Sequence, residues 1–148
     1  MSKTEDLLHK LKAFKYLDAT HLAIMAKLVT IKNFEEGEQL TEEGRFTFIG
    51  FILSGGVTYS VKDDDGKEMQ IMDSFVRYPV GVLEAFNPRH HGSQMVRCNK
   101  ACKILCLSFS DMDQLKIKHA RLMMLFYQGI GELMTEVMIR LVFKFADK

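Results

Sequence analysis

The chain has 148 residues, of which 47% are hydrophobic and 26% are charged, and its formal net charge is +1. This length and balance predict a single folded domain over residues 1–148. The near-zero charge favours neither nucleic acid nor a membrane as a partner. No apolar run approaches the roughly 20 residues of a spanning helix, and the first ten residues are too polar for a signal peptide. We therefore expect a cytoplasmic protein.

Two short helices are predicted at the N-terminus. Thr4 is a candidate N-cap for the first, in which leucine and phenylalanine residues follow at helical spacing. Asp18 is a candidate N-cap for the second, which we expect to extend to about Thr30.

From Ile31 the sequence takes on the pattern of β-strands. Gly55-Gly56 separates an apolar segment from an alternating one, and Asp65-Gly66 is a strong hairpin signal. The predicted strands are 47–54, 57–62, 67–73, 94–99 and 101–108. Three cysteines, at positions 98, 102 and 106, lie in the last two of these strands. Their odd number and the absence of a Cys-x-x-Cys pair favour reduced, packed thiols over redox or zinc chemistry.

The segment from Glu36 to Val57, EGEQLTEEGRFTFIGFILSGGV, resembles the signature of the cyclic-nucleotide-binding domain family. That signature has a Gly-Glu pair, a later glycine, and an apolar strand ending in a glycine that opens the next strand. The matching positions here are Gly37-Glu38, Gly44, 51–53 and Gly55 or Gly56. With the helices and the loop around it, the resemblance covers about Leu7 to Lys148.

This resemblance, which is strongest to the sensor halves of bacterial Crp-type regulators, implies a fold. It is a mainly β fold with flanking helices (α+β): an eight-stranded antiparallel β-roll, or jelly roll, over about 31–108. N-terminal helices precede the roll, and a long C-terminal helix follows it at about 111–146. The independently predicted strands and turns are consistent with such a core.

The C-terminal helix is apolar over more of its circumference than one packed face requires. A helix that lies on a single domain needs an apolar face of about 100° or somewhat more. Here nearly every residue after Gly129 is apolar, apart from one charged stripe at positions 132, 136, 140 and 144. We expect a homodimer through this helix, as the family resemblance also implies; the alternative is one thick intramolecular core. A bend is expected near Gly129 and Gly131.

The loop that binds the ligand in this family corresponds to residues 78–96. In cyclic-nucleotide binders its glycine precedes a glutamate that accepts the ribose hydroxyl, and a later arginine pairs with the cyclic phosphate. By the resemblance the glycine matches Gly81, but the glutamate position falls on Val82. The arginine position falls on Gly92, and the following hydroxyl position falls on Ser93.

Two central polar ligands are therefore missing, which predicts weak or absent binding of cAMP and cGMP. The candidate ligand-binding residues are Gly81, Val82, Leu83, Glu84, Arg89, Gly92 and Ser93. Glu84 and Arg89 could substitute for the missing groups, although two positions along a short helix place Glu84 on another face. The alternative is that residues 89–91 form an exposed loop tip.

Metal and catalytic sites are not expected. The acid run 63–65 lacks the alternating oxygens and the closing glutamate of a calcium loop, so it predicts a solvated turn. His90 and His91 are adjacent and would point to opposite faces of a strand, unlike the ligands of a cupin. No catalytic constellation is present, so we expect neither an enzyme nor a cofactor.

The sequence thus predicts a stand-alone sensor or regulatory domain of the cyclic-nucleotide-binding type. It would take a small ligand other than cAMP or cGMP and signal through the C-terminal helix, without specific DNA binding. The alternative is a ligand-free module for dimerisation or protein interaction.

Overall fold

The chain folds into two compact units. The helical unit comprises Met1–Leu28 and Asp111–Lys148, and the β unit comprises Val29–Ser110. The computed structural model describes residues 2–74, 78–87 and 94–146. In chain order the elements are α1 (Lys3–His9), a 3₁₀ turn (Lys12–Phe14), α2 (Ala19–Ala26), β1 (Thr30–Phe34), β2 (Phe48–Lys62), β3 (Glu68–Ser74), β4 (Pro79–Val80), α3 (Val82–Phe86), β5 (Gln94–Ser108), α4 (Phe109–Lys118) and α5 (Ala120–Ala146). The predicted combination of an antiparallel sheet, flanking helices and a long C-terminal helix is confirmed.

The N-terminal helices begin at side-chain caps. The Asp18 carboxylate accepts a hydrogen bond from the backbone N–H of His21 at 2.9 Å, which confirms the predicted cap of α2. The first cap was predicted two residues too late, because the Ser2 hydroxyl, not Thr4, accepts from the N–H of Glu5. Residues 30–34 form β1, so the second helix is also shorter than predicted.

The helical unit packs its core around the 3₁₀ turn and α5. The rings of Phe14 and Phe126 lie 5.1 Å apart, and both are fully buried. A Cβ atom at Gly129 would lie 2.1 Å from the carbonyl oxygen of Ala13, so glycine permits this close approach. A bend was predicted near Gly129 and Gly131. The helix is continuous there, and the interruption lies at His119, between α4 and α5.

Charged groups on α5 pair with the 3₁₀ turn and the residues after it. Glu132 contacts both Lys15 and Tyr16, and Glu136 accepts from the Lys12 ammonium at 3.2 Å. Hydrogen bonding from Lys15 and then Tyr16 holds the pKa of Glu132 below its ordinary value. The same hydrogen bond raises the pKa of Lys15. Part of the predicted charged stripe is therefore an ion-pair network within the helical unit.

The β unit is built on two long strands. The antiparallel sheet has the order β1-β5-β2-β3, and β4 pairs with β2. β2 and β5 each have 15 residues and pair along most of their length. The strand ends predicted at Gly55-Gly56 and near residue 100 are therefore wrong, because register shifts between Ile52 and Val57 keep the chain paired there. The described residues form five strands, and the predicted eight are not confirmed.

The turn between β2 and β3 is the predicted hairpin. The Asp63 carboxylate accepts from the backbone N–H groups of Asp65 and Lys67 at 2.9 and 2.8 Å. The N–H of Gly66 donates to the carbonyl of Asp63. This acidic run therefore organises its own turn. In the described part of the chain, no group of three His, Cys, Asp or Glu side chains could hold a metal ion.

The core of the β unit is apolar and contains all three cysteines. They are buried free thiols, as predicted. Burial raises the pKa of Cys98 to about 12 and that of Cys106 to about 11, so both thiols are protonated at neutral pH. The buried cluster comprises Leu40, Phe46, Phe48, Ile52, Val57, Val80, Val96, Cys98, Cys102, Ile104 and Cys106.

Candidate functional site

The predicted ligand loop contains a glycine, Gly81, that no other residue can easily replace. Gly81 has φ +79°, in the left-handed region, and is the N-cap of α3. A Cβ atom there would lie 2.2 Å from the carbonyl oxygen of Phe48, the first residue of β2. The glycine therefore allows α3 to start directly against the sheet. It is the residue that the family resemblance matches to the glycine of the ligand loop.

The short helix α3 has its polar residue inside and two of its large apolar residues outside. Glu84 is 3% exposed and Ala85 is 8% exposed, whereas Leu83 and Phe86 are 55% and 49% exposed. Val82, which begins the helix at the position expected for the ribose acceptor, is half-buried. This pattern is the reverse of an ordinary surface helix, whose apolar residues face the core.

The buried carboxylate of Glu84 acts on Tyr59 in β2. Burial, and then the negative charge of Glu84, raises the pKa of the Tyr59 phenol above its ordinary value. Tyr59 lies at the centre of the sheet, where it pairs in register with Val96 of β5 and Met72 of β3. Glu84 is thus close enough to affect Tyr59, a strand residue that the sequence motif does not indicate.

The second half of the predicted site is not described. Arg89, Gly92 and Ser93 lie outside the described residues, as do His90 and His91. Their predicted roles therefore stay predictions. The described part of the site consists of the turn at Gly81, the helix α3 and the strand β2.

Comparison with known proteins identifies the architecture. No protein-family model and no curated protein sequence matches the chain. Among solved structures, a proposed cyclic-nucleotide-binding protein from Geobacter metallireducens has a TM-score of 0.73 and 16% identity over 92% of this chain and 98% of its own. The c-di-GMP-responsive regulator CLP from Xanthomonas campestris has a TM-score of 0.66 and 15% identity, with 82% and 60% covered.

A third similar structure is the regulatory subunit of a cAMP-independent protein kinase A from Trypanosoma cruzi, bound to guanosine. Its TM-score is 0.63 and its identity is 18%, over 76% of this chain and 38% of that one. This chain has the fold of a cyclic-nucleotide-binding domain. The fold implied by the motif at 36–57 is thereby confirmed. The chain spans less than two fifths of the length of the trypanosomal subunit.

A groove in the helical unit of this cyclic-nucleotide-binding fold was not predicted. It has a volume of about 310 Å³. Sequence spacing gave no signal for it, because α2 and α4 lie far apart in the chain. Its lining residues are Ile24, Lys27, Leu28, Asp111, Gln114, Leu115, Lys118 and His119.

The long helix α5 changes character along its length. Its first half supplies buried side chains such as Phe126 and Ile130, whereas large apolar residues in its second half are exposed, namely Met138, Ile139, Val142 and Phe143. By length and composition alone, Ala120–Phe143 could cross a membrane, which corrects the expectation that no run approaches that limit. With a mean hydropathy of 1.2 and one third of its residues buried, it is weak evidence for a membrane span.

Proposed function

We propose that this domain is a non-enzymatic, cytoplasmic sensor or regulatory module that binds cAMP and cGMP weakly or not at all and takes a different small ligand. The observation that carries the proposal is Val82, which follows the left-handed Gly81 and begins α3. By the family resemblance, a glutamate at this position accepts the ribose hydroxyl. A valine side chain has no acceptor, so that contact is lost.

The expected effect on affinity is large. A hydrogen bond to a charged group contributes about 1.5–3 kcal/mol. In our alignment with the family motif, Gly92 also removes the arginine that pairs with the cyclic phosphate. Losing both contacts would weaken binding by roughly a hundredfold or more, since each 1.4 kcal/mol corresponds to about tenfold.

A ligand without a cyclic monophosphate is consistent with the variety among similar structures. The trypanosomal regulatory subunit is cAMP-independent and is bound to guanosine, and the Xanthomonas regulator responds to c-di-GMP. These similar proteins are thus associated with different guanine compounds. A purine nucleoside is our first candidate ligand, and the proposal includes no metal ion or other cofactor.

The proposal is tested by titrating the full chain with cAMP, cGMP, guanosine, adenosine and c-di-GMP in a calorimeter. We expect guanosine or adenosine to bind more tightly than the matching cyclic nucleotide. Tighter binding of cAMP or cGMP than of the nucleosides would contradict the proposal. Failure of all five to bind would favour a ligand-free module.

A ligand-free dimerisation module is the second candidate, and the exposed apolar residues in the second half of α5 favour it. We propose that a second copy of the chain covers this face. Light scattering should then give the mass of a dimer, and Met138→Glu with Val142→Glu should give a monomer. The control is Ile71→Glu, which places a charge at an exposed apolar residue of β3. A monomeric unmodified chain would contradict the dimer.

A further inference from the structure

The reversed burial of α3 requires an explanation. A carboxylate loses its hydration when it is buried, and this loss is costly unless hydrogen bonds or charges compensate for it. In α3 the only charged residue is 3% exposed, while the neighbouring Leu83 is 55% exposed. A rotation of the helix would exchange the positions of the two side chains. The fold instead holds Glu84 inside, through the fixed turn at Gly81.

The position of Glu84 connects it to the interior of the sheet. Its charge acts on Tyr59, a central residue of β2 that packs against the apolar cluster. Strand neighbours of Tyr59 at positions 57, 96 and 98 are all buried apolar side chains. In such surroundings electrostatic effects are stronger than in water. A donor group that reached this carboxylate would therefore meet a negative charge in a medium that screens it poorly.

Carboxylate chemistry decides which ligands this arrangement favours. A carboxylate accepts hydrogen bonds at about four lone-pair sites, so it can serve a ligand in addition to groups of the protein. It attracts the hydroxyl and amino donors of a nucleoside. It repels a phosphate, whose charge has the same sign. The same residue can thus select for one part of a nucleotide and against another.

We propose that Glu84 is the specificity-determining residue of this domain: its buried carboxylate accepts a hydrogen bond from a donor group of an uncharged nucleoside and rejects the cyclic phosphate of a nucleotide. This inference rests on the proposed function and deepens it. The preference for a nucleoside over a cyclic nucleotide then has two causes: the family ligands that are missing at Val82 and Gly92, and the carboxylate that is present at Glu84. Glu84 lies two positions after the expected ribose acceptor, so it is a different contact from the one lost at Val82.

The test compares guanosine with cGMP, which differ only in the cyclic phosphate. Calorimetry gives both dissociation constants for the full chain, for Glu84→Gln, and for Glu36→Gln as a control. The glutamine has almost the same shape as glutamate but carries no charge, and Glu36 is an exposed residue of the same unit. We expect Glu84→Gln to weaken guanosine binding by roughly ten- to a hundredfold, as for one hydrogen bond to a charged group. It should leave cGMP binding unchanged or strengthen it.

Two outcomes would overturn the inference in distinguishable ways. If the unmodified chain prefers guanosine and Glu84→Gln leaves that preference unchanged, the role of Glu84 is wrong while the proposed function stands. If the unmodified chain binds neither compound, both fail together. Should Glu84→Gln not fold, as judged by thermal unfolding, Glu84→Asp replaces it. Because this variant keeps the negative charge, it must keep the preference for guanosine over cGMP, and loss of that preference would also overturn the inference.

Discussion

Two glutamates, one in each unit, show how differently the same side chain is used in this molecule. Glu132 of α5 is 41% exposed by side chain and pairs with Lys15 and Tyr16. Glu84 of α3 is 3% exposed and lies against the interior of the sheet. The first follows the usual rule that a charged group stays at the surface beside an opposite charge. The second is instead buried in the interior.

In our proposal, the unit that carries specificity is the one that contains Glu84. In the helical unit, sequence pattern and packing agree: apolar residues such as Phe126 are buried, and the charges near the 3₁₀ turn are paired. In α3 the sequence pattern and the packing conflict, because the charged Glu84 is buried and the apolar Leu83 is exposed. Local conflicts of this kind are expected at functional sites and are uncommon elsewhere. The following predictions test whether the conflict at α3 is a built feature.

The largest effect on stability is expected at the turn before α3. Gly81→Ala should lower the free energy of unfolding by about 2–5 kcal/mol, as the sum of a left-handed backbone and a clash with the Phe48 carbonyl. Gly66→Ala is the matched control, because Gly66 has φ +80° but no atom within 4 Å of the added Cβ. Chemical denaturation measures both. Equal losses would show that close contact with β2 does not fix α3.

Restoring the family ligands should change binding almost as much. Val82→Glu combined with Gly92→Arg should strengthen cAMP or cGMP binding by about a hundredfold, or roughly 2.7 kcal/mol. Calorimetric titration of the double variant and of each single variant measures the gain. A double variant with unchanged affinity would mean that our alignment of the motif is wrong.

In the helical unit, two glycines of α5 differ only in how closely other atoms pack against them. Gly129→Ala should cost about 1–3 kcal/mol of unfolding free energy, because the added Cβ would lie 2.1 Å from the Ala13 carbonyl oxygen. Gly131→Ala meets no atom within 4 Å and should instead add about 0.5–1 kcal/mol, the helix preference of alanine over glycine. Similar effects in thermal or chemical unfolding would contradict the close packing of α5.

The smallest effect is expected at Glu132. Since its folded pKa is lowered, its stabilising contribution is present above the ordinary pKa of 4.5 and is lost as the pH falls through the folded value. Glu132→Gln should therefore lower Tm slightly at neutral pH and leave it unchanged in acid. Glu136→Gln, which loses only the contact with Lys12, should have a smaller effect. A pH-independent loss would show that the ion pairs contribute nothing.

Much of the fold was accessible from the sequence because its signals are local. The Asp18 cap and the hairpin at Asp65-Gly66 each depend on a few neighbouring residues, and both are present. The strand count was less accessible. The glycines at 55 and 56 resemble a strand end, but the partner strand β5 continues alongside them through register shifts.

Less of the site could be predicted, since it depends on contacts distant in sequence. The motif locates Gly81 and Val82, but it cannot show that Glu84 is buried near Tyr59, 25 positions earlier in the chain. The packing of Gly129 on Ala13 was likewise hidden, because the two residues lie far apart in the sequence. The ion pairs of Glu132 and Glu136 with the 3₁₀ region join opposite ends of the sequence.

The most direct test of the central claim, that the loop is not a cyclic-phosphate site, is a calorimetric titration of the unmodified chain with cAMP and cGMP. We predict no heat of binding at micromolar ligand, because an aliphatic side chain stands where the sugar acceptor is expected. A dissociation constant in the micromolar range or below for either nucleotide would contradict the account.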